Sequence, residues 1–146
     1  MLSNTCKYGI RAIVYIAGAS RNGEKIGLKR ISSDLNLPMP FLAKILQSLA
    51  KQKILLSSKG PNGGFSLARE PRDINLSEVV RAIDGVDAFS KCVLHNDNCK
   101  SSDHTKVACI LHNDYVKARL RIEKLFEKKT VQSLVSTVRN SDDILL

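Results

Sequence analysis

Three of the four cysteines in this chain, Cys92, Cys99 and Cys109, fall within one late stretch, while Cys6 stands near the N-terminus. A thiolate is a nucleophile, a redox group or a soft metal ligand. Around Cys92 and Cys99 the residues are polar (Lys91, His95, Asn96, Asp97, Asn98 and Lys100), which argues against inert packing for those two; Cys109, between Ala108 and Ile110, fits a core as well as a ligand shell. From about residue 88 to 108 helical periodicity disappears, which predicts a loop. Such a loop can wrap several thiolates around an iron–sulfur cluster or a zinc ion, and it also suits a thiol redox switch. No nucleophile motif surrounds any of these cysteines, so a cysteine hydrolase is excluded and the chain reads as a non-enzyme. His112 lies three residues after Cys109, on the same helical face if a helix has begun there, and is the first choice for a further ligand. His95 and His104 are loop alternatives.

Positioning such a loop falls to the elements on either side. With 146 residues the chain has room for one compact domain, or a small domain plus a dimerisation arm, without disulfide staples. Its opening residues lack a basic leader and an apolar run, and no stretch approaches membrane-spanning length, so the expected location is cytoplasmic, with no membrane partner. The net charge of +9 is unevenly placed. Residues 1 to 72 carry twelve Lys or Arg against Glu24, Asp34 and Glu70, whereas residues 73 to 146 carry eleven of each sign. The whole excess sits in the first half, which points to a polyanion partner there and a different task for the rest.

Apolar spacing through Tyr8, Ile10, Ile13, Val14, Ile16 and Ala17 predicts an amphipathic helix over about residues 3 to 20. Leu28, Ile31 and Leu35 predict a second, shorter one that stops at Asn36. A third begins at Pro40, whose missing N–H suits a first turn, and buries Leu42, Ile45, Leu46 and Leu49. Ile54-Leu55-Leu56, a dense turn signal at Lys59-Gly60-Pro61-Asn62-Gly63-Gly64, and Phe65-Ser66-Leu67 then predict a β-hairpin with a basic shoulder. Helix, turn, helix and hairpin form the winged arrangement, in which one helix enters the major groove and the wing lies along the backbone or minor groove. A further helix passes through Val79, Val80 and Ile83 and closes at Gly85. From Ala108 onward Leu111, Tyr115, Ala118, Ile122 and Leu125 step by fours and threes between charged flanks, a heptad seam that calls for a partner helix from a second subunit. The fold class is therefore mainly α with a small β-hairpin wing. Its expected parts are a DNA-binding winged helix-turn-helix over 1–86, a cysteine-bearing loop over 87–108, and a dimerisation helix with a tail over 109–146.

On the DNA side, Lys44 is the groove-facing cation of the third helix, because Leu42, Ile45 and Leu46 are needed for packing. Lys51 and Lys53 touch the backbone and Lys59 supplies charge at the wing, with Lys29, Pro40, Phe41, Gly60 and Asn62 as further contacts. Gly63 and Gly64 are expected to allow a positive-φ turn and a close approach of the hairpin to a phosphate.

Lys7-Tyr8-Gly9-Ile10-Arg11-Ala12, Phe41-Leu42 and the wing segment Lys59-Gly60-Pro61-Asn62-Gly63-Gly64-Phe65-Ser66-Leu67 together resemble the IscR/NsrR-type winged-helix regulators of the Rrf2 superfamily, across nearly the whole chain. The resemblance implies a homodimer on a palindromic operator in double-stranded DNA. It also implies an iron–sulfur cluster, [2Fe-2S] in preference to [4Fe-4S], held by Cys92, Cys99 and Cys109 with His112 as fourth ligand and Cys6 as the second choice. Where nitric-oxide sensors of this family place a first-helix ligand, this chain carries Lys7. Two features depart from the family pattern: the interval between Cys99 and Cys109 is longer than usual, and Pro38-Met39-Pro40 and Ala43 replace small polar or charged groups that reach bases. A regulator of the same fold controlled by a thiol switch, a small molecule or a partner protein is the alternative.

Overall fold

A computed structural model describes residues 2–20, 23–92 and 111–137. The Ser3 hydroxyl accepts from the Cys6 amide at 3.0 Å and starts α1, Asn4–Ala19, which forms the spine of the core through Ile10, Ile13, Val14 and Ile16. Gly9 leaves room there for the Ile83 side chain where the fourth helix crosses α1; a Cβ would press on the tip of that side chain and make it shift. Gly27 precedes α2, Leu28–Asp34, and Asn36 takes a left-handed φ of 52° that ends it, a conformation Asn tolerates. The short turn to α3, Met39–Lys51, is tied by the Leu37 amide donating to the Ser32 carbonyl at 3.0 Å and the Ser32 hydroxyl donating to the Leu37 carbonyl at 2.6 Å. Helix α3 starts one residue before Pro40, with Pro40 in its first turn as its chemistry favours.

The hairpin pairs β1, Leu55–Ser58, with antiparallel β2, Gly64–Leu67, in the register Leu55 with Leu67 through Ser58 with Gly64. The expected strands are thus displaced toward the turn: Ile54 stays outside β1 and Gly64 opens β2. Ile26 adds a third edge, exchanging two backbone hydrogen bonds with Phe65 at 2.8 and 2.9 Å. After a short 3-10 turn at Pro71–Asp73, α4, Leu76–Asp84, is held by a reciprocal cap. The Asn75 side chain accepts from the Glu78 amide at 2.9 Å, and the Glu78 carboxylate accepts from the Asn75 amide at 3.4 Å. Gly85, at φ 92°, closes it.

The long late helix, α5, spans His112–Lys128, so it begins after Ala108, where the apolar spacing had set its start. Leu111 is its cap; Cys109, expected on one face with His112, lies outside the described residues. A second difference is α6, Val131–Val135, capped by Thr130. Its Val131 is fully buried, and the Val131 amide donates to the Ile74 carbonyl at 2.9 Å. The Leu76 amide likewise donates to the Lys129 carbonyl at 2.9 Å. Residues 129–135 therefore pack back against α1 and the Pro71–Asp73 turn rather than trailing from α5. Thr130 and Val131 make this return by backbone pairing, which carries little side-chain signature. Among the described residues no helix is long and apolar enough to cross a membrane.

Candidate nucleic-acid interface

Helix α3 buries Leu42, Ile45, Leu46 and Leu49 along one side. Its exposed residues are Met39, Pro40, Lys44, Gln47 and Lys51. At roughly 100° per residue, Pro40, Lys44, Gln47 and Lys51 fall within an arc of about 60°, diametrically opposite the buried stripe. Two side chains on the flank fix the roll of the helix. The Ser48 hydroxyl donates to the Ala82 carbonyl at 3.0 Å, tying α3 to α4, and Phe41 meets Tyr8 of α1 edge to face at 5.7 Å. Phe41 is half-buried in that contact, so it orients the helix.

The other residues expected to meet DNA divide in the same physical way. Lys29 is exposed on α2, and its neighbour Arg30 stands 3.9 Å from Asp34. Lys59, Gly60 and Asn62 are exposed at the wing tip, where Gly60 adopts φ 104° and the Gly63 amide donates to its carbonyl at 2.9 Å. Gly63 is not at positive φ. It is glycine because a Cβ would overlap the Ser58 carbonyl within the turn. Gly64 is buried at φ 156°, and a Cβ there would lie 2.5 Å from the Ile26 carbonyl oxygen and 3.1 Å from the Gly27 nitrogen. Gly64 thus brings the hairpin against the entrance to α2, a different partner from the phosphate expected for it. By this contact and the Ile26 bridge, the wing and the helix-turn-helix share one backbone frame.

Sequence reasoning missed Gln47, although its spacing from Lys44 and Lys51 carries the signal. It also missed the clasp between α4, α5 and the segment that leads to Cys92. Arg81 of α4 reaches Glu123 at 2.9 Å and lies 5.9 Å from the ring centre of buried Phe89. Phe89 meets Phe126 at 5.9 Å, and Arg119 donates to the Ser90 carbonyl at 2.9 Å. No local pattern announces these contacts, because their partners lie up to 42 residues apart. They turn one side of α5 inward. Leu111, Ile122 and Leu125 of the seam point elsewhere and remain 47, 50 and 52% exposed.

Of the residues assigned to metal binding, Cys92 and His112 are each half-buried. Cys99 and Cys109, like the alternatives His95 and His104, lie outside the described residues. Among the described residues no three His, Cys, Asp or Glu side chains converge as a metal site. Cys6 is fully buried in the core, and burial, reinforced by the Asp84 carboxylate, pushes its thiol up to about 12. A thiol so protonated and enclosed is a poor ligand for a partner subunit.

Residues 2–137 match the family described as Rrf2, iron-dependent transcriptional regulator. The HTH-type transcriptional regulator NsrR of Bacillus subtilis is 29% identical over 145 residues, covering 99% of this chain and 94% of that one. Among solved structures, CymR, the global cysteine regulator of B. subtilis, superposes with a TM-score of 0.76 at 20% identity, covering 94% of this chain and 98% of that one. The IscR of T. potens does so with a TM-score of 0.71 at 23% identity, covering 94% and 87%. A basic helix-turn-helix face, a wing locked to it and a family match over nearly the whole length agree with one another: the chain belongs to the Rrf2 family, and is a transcriptional regulator rather than an enzyme.

Proposed function

We propose that the chain acts as a homodimer on a palindromic site in duplex DNA and that the Cys92, Cys99 and Cys109 segment controls this binding. The observation that carries the DNA-binding part is the arc of Pro40, Lys44, Gln47 and Lys51 on α3, opposite its buried stripe and in one frame with Lys59 of the wing. A cation on the recognition helix reaches base edges, and the wing cation a phosphate. The exposed seam of α5 supplies the two-fold contact that a palindrome requires.

Three thiolates and an imidazole fit an iron–sulfur cluster by donor chemistry, and in this reading Cys92, Cys99, Cys109 and His112 hold it. When bound, the cluster supplies a group whose occupancy and oxidation state respond to iron, oxygen or nitric oxide. The protein's own part is transmission. Cys92 is two residues from Ser90, whose carbonyl Arg119 grips, and three from Phe89, which packs on Phe126. A change in that segment therefore reaches α5, and with it the spacing of two recognition helices. The long Cys99 to Cys109 interval favours a second reading, in which the same cysteines act as a thiol switch in an otherwise identical regulator.

Anaerobic reconstitution with iron and sulfide separates the two readings. The wild type is expected to become coloured and to contain both elements; Ser at Cys92, Cys99 or Cys109 should lose most of both, while His112→Ala should retain colour with a shifted spectrum. A wild type that stays colourless, or takes up zinc, rejects the cluster and leaves the thiol switch.

A further inference from the structure

Within the arc that α3 turns outward, two positions are lysines and one is proline. A lysine ammonium is a point charge with donors only, so Lys44 and Lys51 bind phosphate oxygens or guanine acceptors without telling adenine from other bases by a paired donor and acceptor. Proline and Met39 have no side-chain hydrogen-bonding group of use. The remaining polar residues of the helix are Ser48 and Gln47, and the Ser48 hydroxyl is already committed to the Ala82 carbonyl at 3.0 Å. Ala43 is half-buried on the flank and carries nothing that hydrogen-bonds.

We propose that Gln47 is a specificity-determining residue of this regulator: its side-chain amide reads an adenine in the major groove. The amide presents one acceptor and two donors, the complement of adenine's N6 donor and N7 acceptor. It stands about 4.5 Å along the helix axis from Lys44 and about 6 Å from Lys51, within the reach of neighbouring base steps and phosphates. The roll of α3 that presents it is not free, since Ser48 binds α4 on one flank and Phe41 packs on Tyr8 at 5.7 Å. With Lys44 on one side and Lys51 on the other, the amide is held between two cations that anchor the helix to DNA.

The inference rests on the reading of α3 as the groove-entering helix, and the test distinguishes the two. Full-length protein is used to select sites from a randomised duplex pool, and binding of wild type and Gln47→Ala to the recovered duplex and its single-base variants is then compared. Wild type should favour adenine at one position of each half-site by about 10- to 100-fold, and Gln47→Ala should lose that preference while keeping the others. Replacing that adenine by 7-deazaadenine should weaken wild type and leave Gln47→Ala unaffected, a readout that a purely structural role for Gln47 would not produce. Gln47 is exposed, so Gln47→Ala is expected to fold, and Gln47→Glu, which keeps the acceptors and loses the donors, gives an independent second variant that should shift preference from adenine toward cytosine. Unchanged base preference in both variants, or an equal loss on every sequence, overturns Gln47 and leaves the DNA-binding reading intact. A wild type that selects no sequence removes both.

Discussion

Helices α3 and α5 are both amphipathic, yet they use their apolar faces in opposite ways. Helix α3 buries four aliphatic side chains inside its own chain and turns a basic arc to solvent. Helix α5 buries no residue fully; it docks through half-buried Arg119, Glu123 and Phe126, leaving Leu111, Ile122 and Leu125 about half exposed. In the proposed function the α3 arc takes a polyanion, and the α5 seam takes apolar cover from a second subunit. Removing apolar atoms from the two helices should therefore have different consequences, one in folding and the other in assembly.

The largest expected effect is Leu49→Ala, which opens a cavity in a fully buried site and should cost about 2–5 kcal/mol of unfolding free energy. Leu125→Ala, on the seam, should leave the unfolding midpoint of dilute monomer nearly unchanged. Chemical denaturation of both compares them directly, and similar losses would mean that the α5 seam is core after all. Next is Ile122→Asp, which places a charge on the seam. It should convert a dimer into a monomer by light scattering and weaken binding to a palindromic duplex by roughly 100-fold, about 2.7 kcal/mol, because two half-sites are no longer engaged together. If this variant remains dimeric, the seam is not the interface.

Smaller, and confined to the basic face, is Lys59→Ala. One lost phosphate contact should lower the slope of log affinity against log salt by roughly 0.9 and weaken binding about equally on all sequences. Lys44→Ala, on α3, should in addition change which sequence is preferred. Titrations at several salt concentrations check both, and an unaltered slope for Lys59→Ala would detach the wing from the backbone.

Much of α1, α2, α3 and α4 was legible because each carries a local signature: Leu28, Ile31 and Leu35 at helical spacing, the Pro40 start, and the Gly85 stop. The hairpin was legible for the same reason, its turn chemistry being concentrated between Lys59 and Gly64. Among the site residues, the lysines could be assigned to the solvent side once the apolar stripe was known. Phe41 and Gly64 could not, since a ring against Tyr8 and a backbone against Ile26 are contacts with residues 33 and 38 positions away.

What the sequence determined by itself is whatever depends on neighbours within a turn or two: the first four helices and the hairpin, the Asn36 and Gly85 stops and the Pro40 start, the segregation of +9 into the first half, and the heptad spacing of α5. Tertiary structure alone decided that Gly64 serves the α2 entrance, that Val131 returns to the core by pairing with Ile74, and that Arg119 and Glu123 turn inward while Ile122 stays out. The physical reason is that helix periodicity marks which side chains share a face, but the face that is covered depends on the direction from which a distant element arrives.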